Sequence, residues 1–241
     1  MPEEKKASSP TKSRSESLKA TILEAACRLF MERGVGGTTM QDIADELGIS
    51  RPTIYYHYEN KEAVLKEIAE RVTVKAAAIS GPRPKSDRRH ASEALHDVIV
   101  QYTELMMEHA LEFQILDREE ALLDTLIPGH AVEKRRVLDN FAGIIRTGME
   151  RGEFKAVDPY ITALGIIGMC NWTSRWYRSD RRMSARDIAE TYANHSLAAL
   201  ERPAAREVEP TIGDAIRILR EDVDYLETLA ARAGDQDTSE R

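Results

Sequence analysis

A cluster of side chains between residues 50 and 61 has the types needed to read nucleic acid. Arg51 carries a guanidinium, which fits the O6 and N7 acceptors of guanine with two parallel hydrogen bonds. Thr53 and Tyr55 offer a methyl, a ring and hydroxyls to bases or sugars. Tyr56, His57 and Lys61 suit phosphate oxygens, contacts that set register but carry no sequence information. Ser50 and Pro52 open the same segment and complete its surface. Upstream, Thr39 stands at a helix start, where a hydroxyl and free N–H groups bind phosphate.

Two short helices must hold these groups. In TTMQDIADELGISRPTIYYHYENK, Met40, Ile43, Ala44 and Leu47 repeat at 3/4 spacing and make one apolar face. Thr38 with Gln41 reads as a capping box at the start. Gly48 ends the helix, Ile49 plugs the corner, and Ser50 caps the next helix with Pro52 in its first turn. Ile54 is the buried contact of that second helix. The pattern is a helix-turn-helix, whose second helix enters a DNA major groove. Before it, Leu18 to Arg33 is amphipathic, with Ile22, Ala25, Ala26, Leu29 and Phe30 on one face and Gly34 as its stop.

The stretch from Leu18 to Leu65 resembles the DNA-binding domain of the TetR family of bacterial repressors. ILEAACRLFMERG, TTMQDIADELGIS and TIYYHYENKEAVL carry the likeness, and Tyr55 and His57 followed by Asn60-Lys61-Glu62 are its specific part. The resemblance implies an all-α chain: a three-helix reader over 18–65, then a helical-bundle body over 66–202 that binds a ligand and dimerises. Residues 1–17 then form a disordered basic arm, and 203–241 a linker with an extra amphipathic helix.

Composition agrees with a globular helical chain. Of 241 residues, 31% are charged and 6% aromatic. The net charge is −7, which argues against a protein that coats nucleic acid but not against a reader with a local positive footprint. No apolar run approaches the roughly 20 residues a membrane span needs. Cys27 and Cys170 each sit in apolar helical patterns and read as buried thiols, as in a reducing cytoplasm.

Along the rest of the chain, Lys5, Lys6, Lys12 and Arg14 belong to either a solubilising tail or a basic arm that reaches DNA. Asn60 caps a helix running to about Ile79, the covalent bridge from reader to body. Ser80 to Arg89 is a Pro/Gly/charge loop. Helical patterns follow over 91–112, 113–126, from Pro128 to near Gly152, over 160–177 and over 184–200, with Asp158, Ser184 and Asp187 as caps. Apolar residues then recur near every 3.5 positions from Thr211 to Arg232. That helix lies on its own body, on a dimer partner or on another protein.

Gly165 to Trp172 is apolar nearly all round, which predicts burial on every side by a partner subunit. Gly165, Gly168 and Met169, completed by Ile188, Tyr192 and Leu197, are the expected homodimer contact. Phe113, Leu116, Phe141, Ile145, Trp172 and Trp176 are candidate walls of a ligand pocket, although plain core is the favoured reading of any one of them. Residues Arg151 to Leu200 resemble the C-terminal domain of TetR-type regulators of fatty-acid and steroid breakdown. That resemblance implies an acyl-CoA effector. Arg135, Arg136, Arg146, Arg175 and Arg178 are candidates for its phosphates or, equally, solvated surface. An efflux or other catabolic regulator with a different hydrophobic effector, and a ligand-independent co-regulator, are the competing expectations.

Glycine-rich phosphate loops, Cys-x-x-Cys, His-Glu-x-x-His and Gly-x-Ser-x-Gly do not occur, so an enzyme is the remote reading and no catalytic, metal or cofactor residue is assigned. In the expected mechanism a ligand wedges between the helices carrying Phe113, Phe141 and Trp172 and tilts the Asn60–Ile79 bridge. Recognition helices must lie about 34–36 Å apart to enter successive major grooves, so tilting breaks double contact with a palindromic operator.

Overall fold

The computed structural model describes residues 10–81, 89–180, 182–201 and 216. The arm to residue 9, the tip of the Ser80–Arg89 loop and, apart from the helical Ile216, the expected Thr211–Arg232 helix lie outside them. Ten helices and no strand occur among the described residues. The reader contains α1 (Pro10–Arg33), α2 (Met40–Glu46) and α3 (Arg51–His57), and α4 (Lys61–Ser80) leaves it. The body contains α5 (Ala91–Glu108), α6 (Ala110–Arg118), α7 (Glu120–Leu126), α8 (His130–Glu150), α9 (Pro159–Trp176) and α10 (Ala185–Leu200).

Helix α1 begins at Pro10, eight residues before the expected start and inside the stretch read as a disordered arm. Proline is favoured at a first helical position, where its missing N–H costs nothing. Helices α2 and α3 have seven residues each, too few to be stable alone. They hold because Ile43 and Ile54 are fully buried against Ile22, Ala26 and Phe30 of the core. Each such burial stabilises by about 2 kcal/mol. Gly48 takes φ +62° between them, a left-handed turn that a β-carbon would strain.

In the body α5 packs along α10 and α9, α8 packs on α9, and α4 runs between the reader and α5 and α8. Helix α6 lies against both α9 and α1. The single helix expected over 113–126 is two, broken at Glu119 without glycine or proline. Phe154 is fully buried and packs so closely on Gly148 that a β-carbon there would collide with its ring. Both cysteines are buried thiols; burial pushes Cys27 up to about 12 and Cys170 up to about 11.

Candidate nucleic-acid interface and effector cavity

Ser50 is the N-cap of α3, its Oγ accepting from the Thr53 N–H at 3.4 Å and sharing a 2.7 Å bond with the Thr53 hydroxyl. Pro52 sits at the second helical position. This fixes the helix start, and Ile54 (0% exposed) fixes its inner face. What remains outside is the reading surface. Arg51 lies 5.5 Å from the centre of the Tyr55 ring, a cation–π contact that holds the guanidinium along the helix. Tyr56 is 83% exposed, with His57 edge-on at 5.3 Å. Tyr58 turns inward and its hydroxyl donates to Glu67 at 3.0 Å.

Two residues are placed differently from the sequence reading. The capping box is Thr39 with Asp42, not Thr38 with Gln41. Asp42 Oδ2 accepts from the Thr39 N–H at 2.8 Å and from its hydroxyl at 2.6 Å. These bonds, the hydroxyl's first, hold the Asp42 carboxyl below the usual carboxylate range. A carboxylate thus already occupies the place expected for a phosphate at Thr39. Thr38 is fully buried, and its hydroxyl donates to Gly34 O at 2.9 Å and Leu29 O at 3.3 Å, where α1 ends. Gln41 donates instead to Asp45 at 2.7 Å.

Lys61 is the second correction. Its Nζ donates to the carbonyls of Val35 at 2.7 Å, Thr38 at 3.0 Å and Gly36 at 3.3 Å. The ammonium ties the start of α4 to the loop between α1 and α2, so it is spent on structure. Asn60 caps α4 as expected, accepting from Ala63 N–H at 2.8 Å.

The body holds a cavity of about 440 Å³ bounded by α4, α5, α6, α7, α8 and α9. Phe113 and Leu116 line it, as expected. Phe141 and Ile145 are fully buried and lie off its wall; Phe141 is one layer back, edge-on to the Tyr102 ring at 5.5 Å. Trp172 (60% exposed) and Trp176 (37%) point outward and line no part of it. The cavity does lie between the helices expected to hold a ligand, α6, α8 and α9, but α8 faces it with Val137 and Leu138 rather than Phe141, and α9 with Leu164, Ile167 and Asn171 rather than Trp172. Tyr102, Asn171 and His130 went unassigned in the sequence, although Leu164, Ile167 and Asn171 keep 3/4 spacing.

Of the five arginines, Arg135 reaches this cavity, stacked 4.8 Å over Tyr160 and 3.4 Å from Asp139. Arg136 pairs with Glu133 and Arg175 with Asp117. Arg178 borders a separate hollow of about 870 Å³ lined by charged residues such as Glu104, Glu108 and Asp180. The smaller cavity is the one with a mostly apolar wall and six helices around it, the usual character of a small-molecule pocket.

On α9, Ile161, Leu164, Gly165, Gly168, Trp172 and Trp176 share one exposed face. The helix is thus buried on one side within the subunit, not all round. A β-carbon at Gly165 or Gly168 would meet nothing within 4 Å, so its own subunit does not demand glycine there. Ile188 is buried in its own core (4% exposed), which removes it from the expected partner contact. Met169, Tyr192 and Leu197 are half-buried.

A helix-turn-helix with an open recognition face, carried on a helical body with an internal cavity, defines a DNA-binding regulator. Residues 22–68 match the family described as bacterial regulatory proteins, tetR family, and residues 88–200 match the tetracyclin repressor-like C-terminal domain. The crystal structure of the TetR family transcriptional regulator PfmR from Thermus thermophilus is 30% identical with a TM-score of 0.64, covering 75% of this chain and 99% of that one. The HTH-type transcriptional repressor KstR2 of Rhodococcus jostii is 26% identical over 193 residues, 76% of this chain and 90% of that protein. AibR in complex with isovaleryl coenzyme A and operator DNA shares the fold at 24% identity and a TM-score of 0.60, over 73% of this chain and 96% of that one. The chain belongs to the TetR family of transcriptional regulators.

Proposed function

We propose that the protein is a homodimeric repressor that leaves a palindromic operator when a small amphipathic molecule fills the body cavity. One contact carries the coupling. Arg118, the last residue of α6, donates from Nη1 to Met31 O at 3.2 Å and from Nη2 to Phe30 O. Its neighbours Phe113, Leu116 and Asp117 line the cavity. A ligand that shifts α6 therefore pulls on the last turn of α1, while α4, whose Val72, Thr73 and Ala76 also line the cavity, moves the reader from its other side. Two links from one cavity to one reader are the route by which a ligand-bound conformation would reach α3. The unfilled glycine face of α9 supports close approach of a second copy.

An acyl-CoA thioester is the effector class we propose first. The apolar wall suits an acyl chain, and Lys134 and Arg135 belong to the same lining. Their present partners, Glu120 at 2.5 Å and Asp139 at 3.4 Å, would be exchanged for the phosphates of the ligand. The structure of AibR bound to isovaleryl coenzyme A and operator DNA, which shares this fold, supports the same class. The test is reciprocity. Acyl-CoA affinity, measured calorimetrically with and without operator, must fall by the same factor by which acyl-CoA weakens operator binding. Equal affinity in the two titrations sinks induction by this class.

A further inference from the structure

Polar groups inside the cavity constrain what can fill it. Most of the wall is apolar, including Ala76, Met106, Leu116, Val137, Leu164 and Ile167. Tyr102 and Asn171 interrupt it from facing helices α5 and α9. The Tyr102 hydroxyl donates to Asn171 Oδ1 at 3.1 Å, and Tyr102 is only 5% exposed. The edge contact with Phe141 fixes its ring. This bond uses half of what the pair can do. The Asn171 amide keeps its N–H donors, and the phenol oxygen keeps an acceptor lone pair. Turning the amide over exchanges the roles but still leaves one donor and one acceptor.

His130, in the first turn of α8, is a second polar wall. It is 6% exposed, and its ring makes no hydrogen bond among the described residues. The residue forms part of the cavity lining at the start of α8. Burial lowers its pKa, against the neighbouring Asp124 and Glu120 that raise it, which keeps the ring neutral with one donor and one acceptor. Water can satisfy these groups while the cavity is empty. A purely hydrocarbon ligand would displace that water and return nothing.

We propose that the buried part of the effector carries a carbonyl or hydroxyl oxygen read by the Tyr102–Asn171 pair, with His130 as a second polar contact. The cavity then selects oxygenated apolar molecules over plain hydrocarbons of the same shape. The inference rests on the reading that this cavity is the effector site.

Matched bicyclic probes test it on the full chain: tetralin, and 2-tetralone, which replaces one methylene by a carbonyl. Calorimetry or saturation-transfer NMR should show the ketone binding about tenfold tighter or more, the usual scale for one lost hydrogen bond to a buried polar group. Tyr102→Phe and Asn171→Leu should each cut that preference to about twofold while tetralin binding persists. Tyr102→Phe removes a single oxygen, so it remains informative should Asn171→Leu fail to fold. Equal affinities in the unmodified protein, a preference that survives both substitutions, or binding of neither probe at millimolar concentration would each overturn the proposal. Operator release by acyl-CoA, measured on the same preparation, judges the repressor reading separately. Release without ketone preference removes this inference alone; ketone preference without release removes the acyl-CoA switch alone.

Discussion

The reader and the cavity treat unpartnered polar groups in opposite ways. In the reader, backbone ends and loop carbonyls are satisfied internally by Ser50, Thr39–Asp42, Asn60 and Lys61. Arg51 and Tyr56 are left standing in solvent. In the cavity the unsatisfied groups, His130 and the open half of Tyr102–Asn171, face inward. A preformed surface can wait exposed because water costs it little. A preformed void can be selective because leaving it half-paired costs a ligand a great deal. The first suits a long, charged, fixed partner and the second a small one that must be told from its neighbours.

The largest effect should come from a residue that belongs to the scaffold of the reader. Lys61→Met leaves three carbonyls without their ammonium. Bonds to a charged donor contribute about 1.5–3 kcal/mol, so a loss of about 3 kcal/mol of stability is expected, visible as a melting temperature lower by several degrees. Operator affinity of the folded fraction should barely change. An unchanged melting temperature with weaker DNA binding would return Lys61 to the phosphates.

Arg51→Ala should do the reverse. Operator affinity falls by about 2 kcal/mol, roughly 30-fold, with preference relaxed at one base position per half-site and melting unchanged. Competition binding against operator variants and random DNA reads this; equal loss on random DNA would make Arg51 a backbone contact.

A smaller effect is expected where the two regions meet. Arg118→Met should leave operator and effector affinities each within about twofold, yet shrink the effector's influence on DNA by about 1 kcal/mol, within the usual range of coupling energies. Full coupling in this variant, measured by anisotropy with and without effector, would route the signal through α4 alone.

The smallest concerns acid. The folded-state pKa of Asp42 is depressed, chiefly by the Thr39 hydroxyl. Its contribution is present above the unfolded value and lost as pH falls through the folded one, so it disappears below about pH 4. Asp42→Asn should flatten that limb of a melting-versus-pH curve; an identical acid limb in both proteins would leave the cap without thermodynamic weight.

Caps and turns were legible because their partners lie three or four residues away. Ser50, Asn60, Asp158 and the Ser184–Asp187 pair all stand where the sequence places them. The choice between Thr38 and Thr39 was not local. Both begin a threonine-x-x-polar pattern, and the carbonyls of Leu29 and Gly34 claimed Thr38. Lys61 finds its carbonyls more than twenty residues back, beyond any spacing rule. Asn171 and Trp172 are adjacent and about 100° apart around the helix, enough to put one on the cavity wall and the other in solvent, and an all-round apolar helix gives no sign of which side faces the subunit's own core. Pro10 was a readable start signal for α1, hidden by a polar context without apolar periodicity.

The position of Lys61 reaches into ionic strength. Among the described residues of the reader, Arg28 lies 3.4 Å from Glu46 and Arg33 3.8 Å from Asp42, while Lys61 is held by carbonyls. Each phosphate neutralised by a cation releases counterions and steepens the dependence of affinity on salt by about 0.9 in a double-logarithmic plot. With Arg28, Arg33 and Lys61 already held, Arg51 is the described cation left on the recognition helix, and such a reader is expected to release few. If hydrogen bonds and the rings of Tyr55 and Tyr56 carry the rest of the contact, the described reader should hold operator with a shallow salt response, steepened by little more than Arg51.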